Sequence, residues 1–423
     1  MIVNQSVHNV ERRRPRDDLM YDHTDVLGTF DIASPGDQER VRRLADTMLR
    51  EGSGEQPQPV PPDAPIDVAL ADKLARSKRE LQTTGWGGHV AVVFAMWGEQ
   101  RRLLPRSVEN PTGEASLATK LEQLDWLFGG SAATWSLIAV DDGDPDDSAA
   151  VAIGQANAHP LGDHVTVLRL SDAIGAEDSP LATLASVDDS RKGGAITLGA
   201  LHALANGADA LVMTDADNSV HLGQVGLLIG PFARDGAGAV VGDRKHPDSN
   251  LVKAEARWGP GIVVLRHMQR MVGRSLFDTG LRDTQAAFKL YGRTALEAIL
   301  AAPSTFGFAF DSDWLYATVG AGERIDRVPF TFIDSFAESA SITQGPMTTW
   351  ESLLTGLVAA ARGRGVEHDV EMAELIDDHA DVATLERIVQ RVPDELVDVA
   401  DADLGDRSIM SPAELRRWIE SLL

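Results

Sequence analysis

Between Gly88 and Phe332 the chain repeats one pattern: a short apolar run, then a stretch with helical spacing, then another apolar run. The runs at 89–95, 135–140, 165–170, 210–213, 237–241 and 327–332 read as strands. Between them, Leu117, Leu121, Leu124 and Phe128 form one helical stripe, and 196–205 forms another. Strand and helix alternating at this spacing predict an α/β domain built on a mainly parallel sheet. Ligands of such sheets sit beyond the carboxyl ends of the strands, so motifs that follow a strand carry the most weight.

The flanks differ in kind. Residues 38–50 have helical spacing, with Val41, Leu44, Ala45 and Met48 on one face. The stretch from Gly52 to Pro62 is rich in Pro, Gly and Gln and reads as a linker, and a second helix is expected at 67–82. Past Gly365 the chain turns acidic and helical, with Leu375, Ile376, Leu385, Ile388 and Val389 on its apolar positions. Ser411-Pro412-Ala413-Glu414 is a helix start: a serine cap, proline at the first helical position and an acid in the first turn. The expected division is a helical N-terminal extension over 1–85 with a Pro-rich linker near 52–65, a main domain over 86–365, and an acidic helical appendage over 366–423. The appendage carries no catalytic signature and reads as a packing or assembly element, which leaves a homo-oligomer open.

Of the 423 residues, 39 are basic and 64 acidic, a net charge of −25. Such a chain is a poor match for a nucleic-acid backbone or an anionic lipid surface. An anionic ligand must then be held by a local group of cations, by backbone amides or by a metal. The absence of cysteine excludes disulfides and thiolate zinc sites and suits a reducing cytosol. The N-terminus lacks the apolar core of a signal peptide. The apolar runs at 90–96 and 225–232 fall far short of the ~20 residues that span a bilayer. A soluble, cytoplasmic protein is expected.

Several motifs follow the predicted strands. The first strand runs into Trp97-Gly98-Glu99-Gln100-Arg101-Arg102-Leu103, and the second into Asp141-Asp142-Gly143-Asp144. Asp-Gly after a strand is a turn signal, and it is also where a carboxylate can accept hydrogen bonds from a base or ribose. Ser190-Arg191-Lys192-Gly193-Gly194-Ala195 opens a helix, and a helix start with cations beside it favours anions. Its spacing is not that of a Walker loop. Met213-Thr214-Asp215-Ala216-Asp217-Asn218 places two carboxylates, one residue apart, at the end of an apolar run. They can converge on a hard divalent cation, or they can cap a turn. Further on lie Gly242-Asp243-Arg244-Lys245-His246, the segment from Asp283 to Tyr291, and Phe310-Asp311-Ser312-Asp313-Trp314. Each has a plainer reading: a solvated loop, an ordinary strand through Phe288, Leu290 and Tyr291, and a helix cap at Asp311. No zincin spacing and no nucleophile elbow is present.

Taken in order, these segments resemble the family 2 glycosyltransferases of the GT-A fold, and among them the dolichyl-phosphate glucosyltransferase branch. The similarity spans Gly88 to Ser335 and rests on Trp97–Leu103, Asp141-Asp142-Gly143, Arg191–Ala195, Asp215-Ala216-Asp217, Gly242-Asp243-Arg244, Asp283-Thr284-Gln285 with Phe288-Lys289-Leu290, and Phe310–Leu315. Gly98 stands where the branch has Asn, and Asp144 where it has Ser.

The resemblance implies an inverting, metal-dependent transfer of a sugar from a nucleotide diphosphate sugar, UDP-glucose being the first choice. It places the nucleoside on Glu99 and Asp142, Lys192 near the diphosphate, and Arg244 and Lys289 around the diphosphate or acceptor. Asp217, helped by Asp215, would hold Mn²⁺ or Mg²⁺. Asp313, with Asp311 as the competing choice, would take the proton from an acceptor hydroxyl. The lack of a hydrophobic anchor points to a small polar acceptor such as a sugar, cyclitol or natural product. Transfer to a polyprenyl phosphate and non-catalytic binding of a nucleotide sugar are the rival readings.

Overall fold

The computed structural model describes residues 30–51, 60–61, 64–177, 179–190, 192–252, 259–335 and 346–423. Most of the linker expected between Gly52 and Pro62, and Arg191 of the glycine-pair motif, lie outside them.

Nine strands are described: β1 (His89–Met96), β2 (Thr134–Asp141), β3 (Val165–Arg169), β4 (Ala210–Met213), β5 (Ala239–Gly242), β6 (Asn250–Val252), β7 (Lys289–Gly292), β8 (Ile325–Val328) and β9 (Thr331–Ile333). Seven form one sheet in the order β3-β2-β1-β4-β7-β5-β8, and β6 pairs with β9 in a small second sheet. Within the large sheet only β7 runs antiparallel, between β4 and β5. This is the mainly parallel α/β architecture that the alternating pattern predicts. The run expected at 327–332 divides into β8 and β9, which belong to different sheets. Pro329 sits between them, and a residue without an N–H cannot continue a ladder. The plainer reading of Lys289 to Tyr291 as strand holds, since these residues form β7.

The sheet is covered on both faces. Along β1, Ala91 and Val93 enter one core, while Val90, Val92, Phe94 and Met96 enter the other. A strand buried on both sides reads as an unbroken apolar run, which is why His89–Met96 shows no alternation. Helices α1 (Pro35–Glu51) and α2 (Ile66–Thr84) contain the two predicted N-terminal helices and pack on each other. The stripe of Leu117, Leu121, Leu124 and Phe128 is buried in α3 (Ser116–Phe128), which is followed by α4 (Ser148–Ala158). After α5 (Gly193–Ala205) comes α6 (Val225–Asp235), which crosses α2 closely: a Cβ on Gly226 would lie 2.1 Å from the Ser77 carbonyl oxygen.

The remaining helices of more than four residues are α7 (Ile262–Val272), α8 (Arg293–Ala301), α9 (Phe310–Gly320), α10 (Pro346–Gly363), α11 (Val370–His379), α12 (Val382–Ile388) and α13 (Pro412–Glu420). Leu375, Ile376, Leu385, Ile388, Leu415 and Ile419 share a core with Val93, Ile138 and Trp314. The acidic C-terminal stretch is thus packed onto the sheet's own core. The expected cap is present at α13: the Glu414 carboxylate accepts from the Ser411 N–H at 2.8 Å, and the Ser411 hydroxyl accepts from the Glu414 N–H. Among the described residues no helix is long and apolar enough to cross a membrane.

Candidate active site

The carboxyl ends of β1, β2, β4 and β5 lie on one side of the sheet, and the antiparallel β7 begins there. Lys289, its first residue, pairs in register with Met213 of β4 and Val241 of β5. The loops that leave these strand ends carry four of the seven motifs singled out in the sequence, and a fifth leads into β7.

Past β2, Asp141 organises the turn: its Oδ1 accepts from the Gly143 and Asp144 N–H groups, each at 2.9 Å. Asp144 then accepts from the Ser148 N–H at the start of α4. Asp142 reaches across to the start of α5. Its Oδ1 accepts from the Ser190 hydroxyl at 2.6 Å and its Oδ2 from the Lys192 N–H at 2.7 Å. This clamp holds Lys192 at φ 76°, a left-handed conformation uncommon for a residue with a side chain. Gly193 follows because a Cβ there would lie 2.6 Å from the Phe306 carbonyl oxygen. The fold therefore fixes Lys192 at the mouth of α5, where its ammonium pairs with Asp215.

Asp215 and Asp217 lie on the loop after β4. Burial favours the neutral form of both carboxyls, yet Lys192 and then Arg244 hold Asp215 below the usual carboxylate range. For Asp217, burial together with Asp215 and Glu114 pushes the carboxyl up to about 6. The loop is braced from behind. The Lys120 ammonium donates to the Asp217 carbonyl, and Glu114 accepts from the Asn218 N–H at 2.9 Å. Glu114 also accepts from Arg102 Nε at 3.2 Å, and Arg102 pairs with Glu99 at 2.5 Å. Burial pushes the Glu99 carboxyl up to about 7, against the pull of Arg102.

Past β5, Arg244 forms a two-pronged ion pair with buried Asp283, at 2.6 Å through Nε and 2.8 Å through Nη2. Lys289 is fully buried and donates to Asp311 Oδ1 and to the Ala286 carbonyl, both at 2.6 Å. Burial raises the Asp311 carboxyl above its ordinary range, although Lys289 and then Lys192 oppose that shift.

Asp313 lies elsewhere, paired with Arg364 rather than with Lys289. Its carboxylate is fully buried and receives Arg364 Nε at 2.7 Å and Nη2 at 2.8 Å, along with the Ser304 hydroxyl. Two residues along a helix turn the side chain through about 200°. Asp311 therefore faces Lys289 and the strand ends, while Asp313 ties α9 to the chain just past α10. Asp142 and Glu99, assigned to the nucleoside by resemblance, have carboxylates committed to the Ser190–Lys192 loop and to Arg102.

Lys120, Glu114 and Arg364 belong to none of the sequence motifs, and Asp283 belongs to one in which it was given no role. Lys120 had a signal, because it falls on the apolar stripe one residue before Leu121. Arg364 had none, since nothing near it in sequence marks a partner 51 residues away.

Among the described residues no group of three or more His, Cys, Asp or Glu side chains is placed to hold a metal. The pair Asp215 and Asp217 fits a divalent ion that takes few protein ligands and fills its shell with phosphate oxygens and water. Burial, then the charges of Asp215 and Glu114, raise the Asp217 carboxyl, and a cation placed beside it would oppose that shift.

No protein-family model matches the chain. It is 27% identical over 197 residues to the undecaprenyl-phosphate mannosyltransferase of Micrococcus luteus, a match covering 46% of this chain and 79% of that one. It is 27% identical over 233 residues to the polyprenol monophosphomannose synthase of Mycolicibacterium smegmatis, covering 54% and 79%. The dolichyl-phosphate beta-glucosyltransferase of Drosophila melanogaster is 26% identical over 189 residues, covering 43% and 51%. Among solved structures, the glucosyl-3-phosphoglycerate synthase of Mycobacterium tuberculosis with bound UDP is similar over 69% of this chain and 86% of its own. Its TM-score of 0.44 and identity of 15% are too low to bear on function. The sequence relatives make this chain a homologue of the family 2 glycosyltransferases and, like them, a sugar-transferring enzyme.

Proposed function

We propose that the chain transfers a hexose, glucose in the first instance, from a nucleotide diphosphate sugar to a hydroxyl of a small polar acceptor, with inversion. One observation carries this reading. Lys192 from the start of α5, Asp215 and Asp217 from the loop after β4, Arg244 from the loop after β5 and Asp311 from the first turn of α9 act on one another's charge at one end of the sheet.

The donor diphosphate lies between the start of α5, with Lys192, and the Asp215–Asp217 loop. Backbone N–H groups at a helix start and a lysine beside them suit a polyphosphate. Asp217 and Asp215 hold Mn²⁺ or Mg²⁺, which when bound neutralises charge on the departing nucleotide. Glu99 and Asp142 shape the nucleoside end, Asp142 by fixing the loop that carries Lys192. Arg244, held rigid by Asp283, adds a positive charge on the acceptor side.

Asp311 is the base. The acceptor oxygen bonds to the anomeric carbon, the bond from that carbon to the diphosphate breaks, and the hydroxyl proton passes to the Asp311 carboxylate. Lys289 orients that carboxylate, and the raised affinity of Asp311 for a proton suits a base. A single displacement inverts the anomeric centre.

A second reading is favoured by the relatives, which by name act on undecaprenyl, polyprenol and dolichyl phosphates. A phosphate is already a nucleophile and needs no base. Release of UDP from UDP-glucose, with Mn²⁺ and a panel of acceptors, tests both. Dependence on a soluble hydroxyl acceptor and on Asp311 supports the first. Turnover only with detergent-dispersed polyprenyl phosphate, insensitive to Asp311→Asn, establishes the second.

A further inference from the structure

Beside the Arg244–Asp283 pair, three further cations converge on one carboxylate. Lys245 follows Arg244 on the loop after β5, and Arg266 and Arg270 lie one turn apart on α7. All three face Asp401, which the C-terminal stretch delivers from the segment between α12 and α13. That segment is seated firmly. The Gly405 N–H donates to His267 Nδ1 at 3.0 Å, so the other ring nitrogen donates to the Met410 carbonyl at 2.9 Å.

Asp401 does not satisfy this group. Arg270 Nη2 pairs with it closely, but Lys245 Nζ stays 3.6 Å away and Arg266 Nη1 3.9 Å away, both beyond hydrogen-bond length. Arg270, whose side chain is 3% exposed, keeps Nη1 buried without a hydrogen-bond partner. Three positive charges meet one negative charge, in a chain whose net charge is −25. A planar carboxylate has two oxygens and one charge. A phosphate monoester has three terminal oxygens and close to two charges at neutral pH, and matches three cations better.

We propose that Lys245, Arg266 and Arg270 form a subsite for a phosphate group carried by the acceptor, and that Asp401 occupies it until that group displaces the carboxylate. This rests on the transferase reading and deepens it: the acceptor is bound by its phosphate at Lys245 and attacks the anomeric carbon through another of its oxygens, nearer Asp311, as the nucleoside diphosphate leaves. The same subsite would take the phosphate of a soluble metabolite or of a lipid headgroup.

The test is titration of the full chain with inorganic phosphate by calorimetry. Asp401→Asn is expected to bind phosphate at least ten-fold more tightly than the unmodified protein. Adding Lys245→Gln and Arg266→Gln, both at partly exposed positions, is expected to abolish that gain. Equal phosphate affinity with and without Asp401, or a gain that survives loss of both cations, overturns the proposal. Competition against bound phosphate separates the sources: glycerol phosphate displacing it marks a soluble acceptor, and a detergent-dispersed prenyl phosphate displacing it marks a headgroup. If neither competes, the site is not an acceptor subsite. Stabilisation by UDP-glucose with Mn²⁺, measured on the same variants, is a separate readout. Its absence from the unmodified protein, together with intact phosphate binding, sinks the transferase reading and leaves the anion site standing.

Discussion

Asp311 and Asp313 are two residues apart, both buried in the first turn of α9, and chemically identical. Their partners separate them. Asp311→Asn is expected to lower kcat by about 10²–10⁴-fold, the usual contribution of a positioned base, with donor affinity unchanged. The acid limb of the rate profile is expected above the ordinary carboxylate range, since burial raises the Asp311 carboxyl and the base must be deprotonated to work. Asp313→Asn breaks a buried ion pair and leaves Arg364 uncompensated, which costs about 3–5 kcal/mol. Urea denaturation is expected to show that loss, while the folded fraction keeps near-normal turnover.

Glu99 gives a stability prediction whose sign can be worked out. Burial pushes its carboxyl up to about 7 in the folded chain, against an ordinary 4.5 when unfolded. Between those values the native state holds a proton that the unfolded state has released. Stability therefore falls as pH rises through this window and levels off above it, by about 3 kcal/mol at most. Denaturation of Glu99→Gln at pH 5 and pH 8 should lack this component; an unchanged pH dependence would assign it to another group.

At the scale of elements, the start of α5 shows what sequence can and cannot reveal. The glycine pair after Lys192 marks a helix start, and its reason is packing: Gly193 abuts the Phe306 carbonyl and the Phe310 side chain. Gly193→Ala is expected to lower stability by about 1–3 kcal/mol through overpacking and to weaken donor binding by shifting Lys192. Unaltered donor affinity in a folded Gly193→Ala protein would show that the loop's position is not critical. Strands buried on both faces, such as β1 and β4, were legible because both faces demand apolar residues. The four-residue β7 was ambiguous because its direction depends on pairing with β4 and β5, which no local pattern encodes. The break between β8 and β9 was signalled by Pro329, yet the pairing of β9 with distant β6 was not. In the same way the Asp215–Asp217 pair stood out by spacing. The division of labour between Asp311 and Asp313 required knowing where Arg364 and Lys289 lie.

Across the whole molecule, the C-terminal helices belong energetically to the sheet. Leu375, Ile376, Leu415 and Ile419 are buried in the same core as the strands. Truncation after Gly365 is expected to expose that core and yield a chain that aggregates or unfolds without a cooperative transition. A soluble truncated protein with an unchanged melting temperature would instead set the appendage apart as a separate domain. The acidic balance of the chain has a local exception where Arg244, Lys245, Arg266 and Arg270 gather, and the appendage supplies the acid that meets three of them. Overall charge therefore describes the surface at large and says little about the site.

On this mechanism Lys192, Asp215 and Asp217 together bind a nucleotide diphosphate sugar with a divalent ion. Thermal unfolding of the full chain with UDP-glucose tests it, in Mn²⁺ and in EDTA, beside Asp217→Asn. At a ligand concentration ~100 times its dissociation constant, binding adds ~2.7 kcal/mol, which is a clear upward shift in Tm. The expected result is a shift in Mn²⁺ that disappears in EDTA and in Asp217→Asn. A shift of equal size in all three would contradict the metal assignment, and no shift with UDP-glucose or any other nucleotide sugar would contradict the donor site itself.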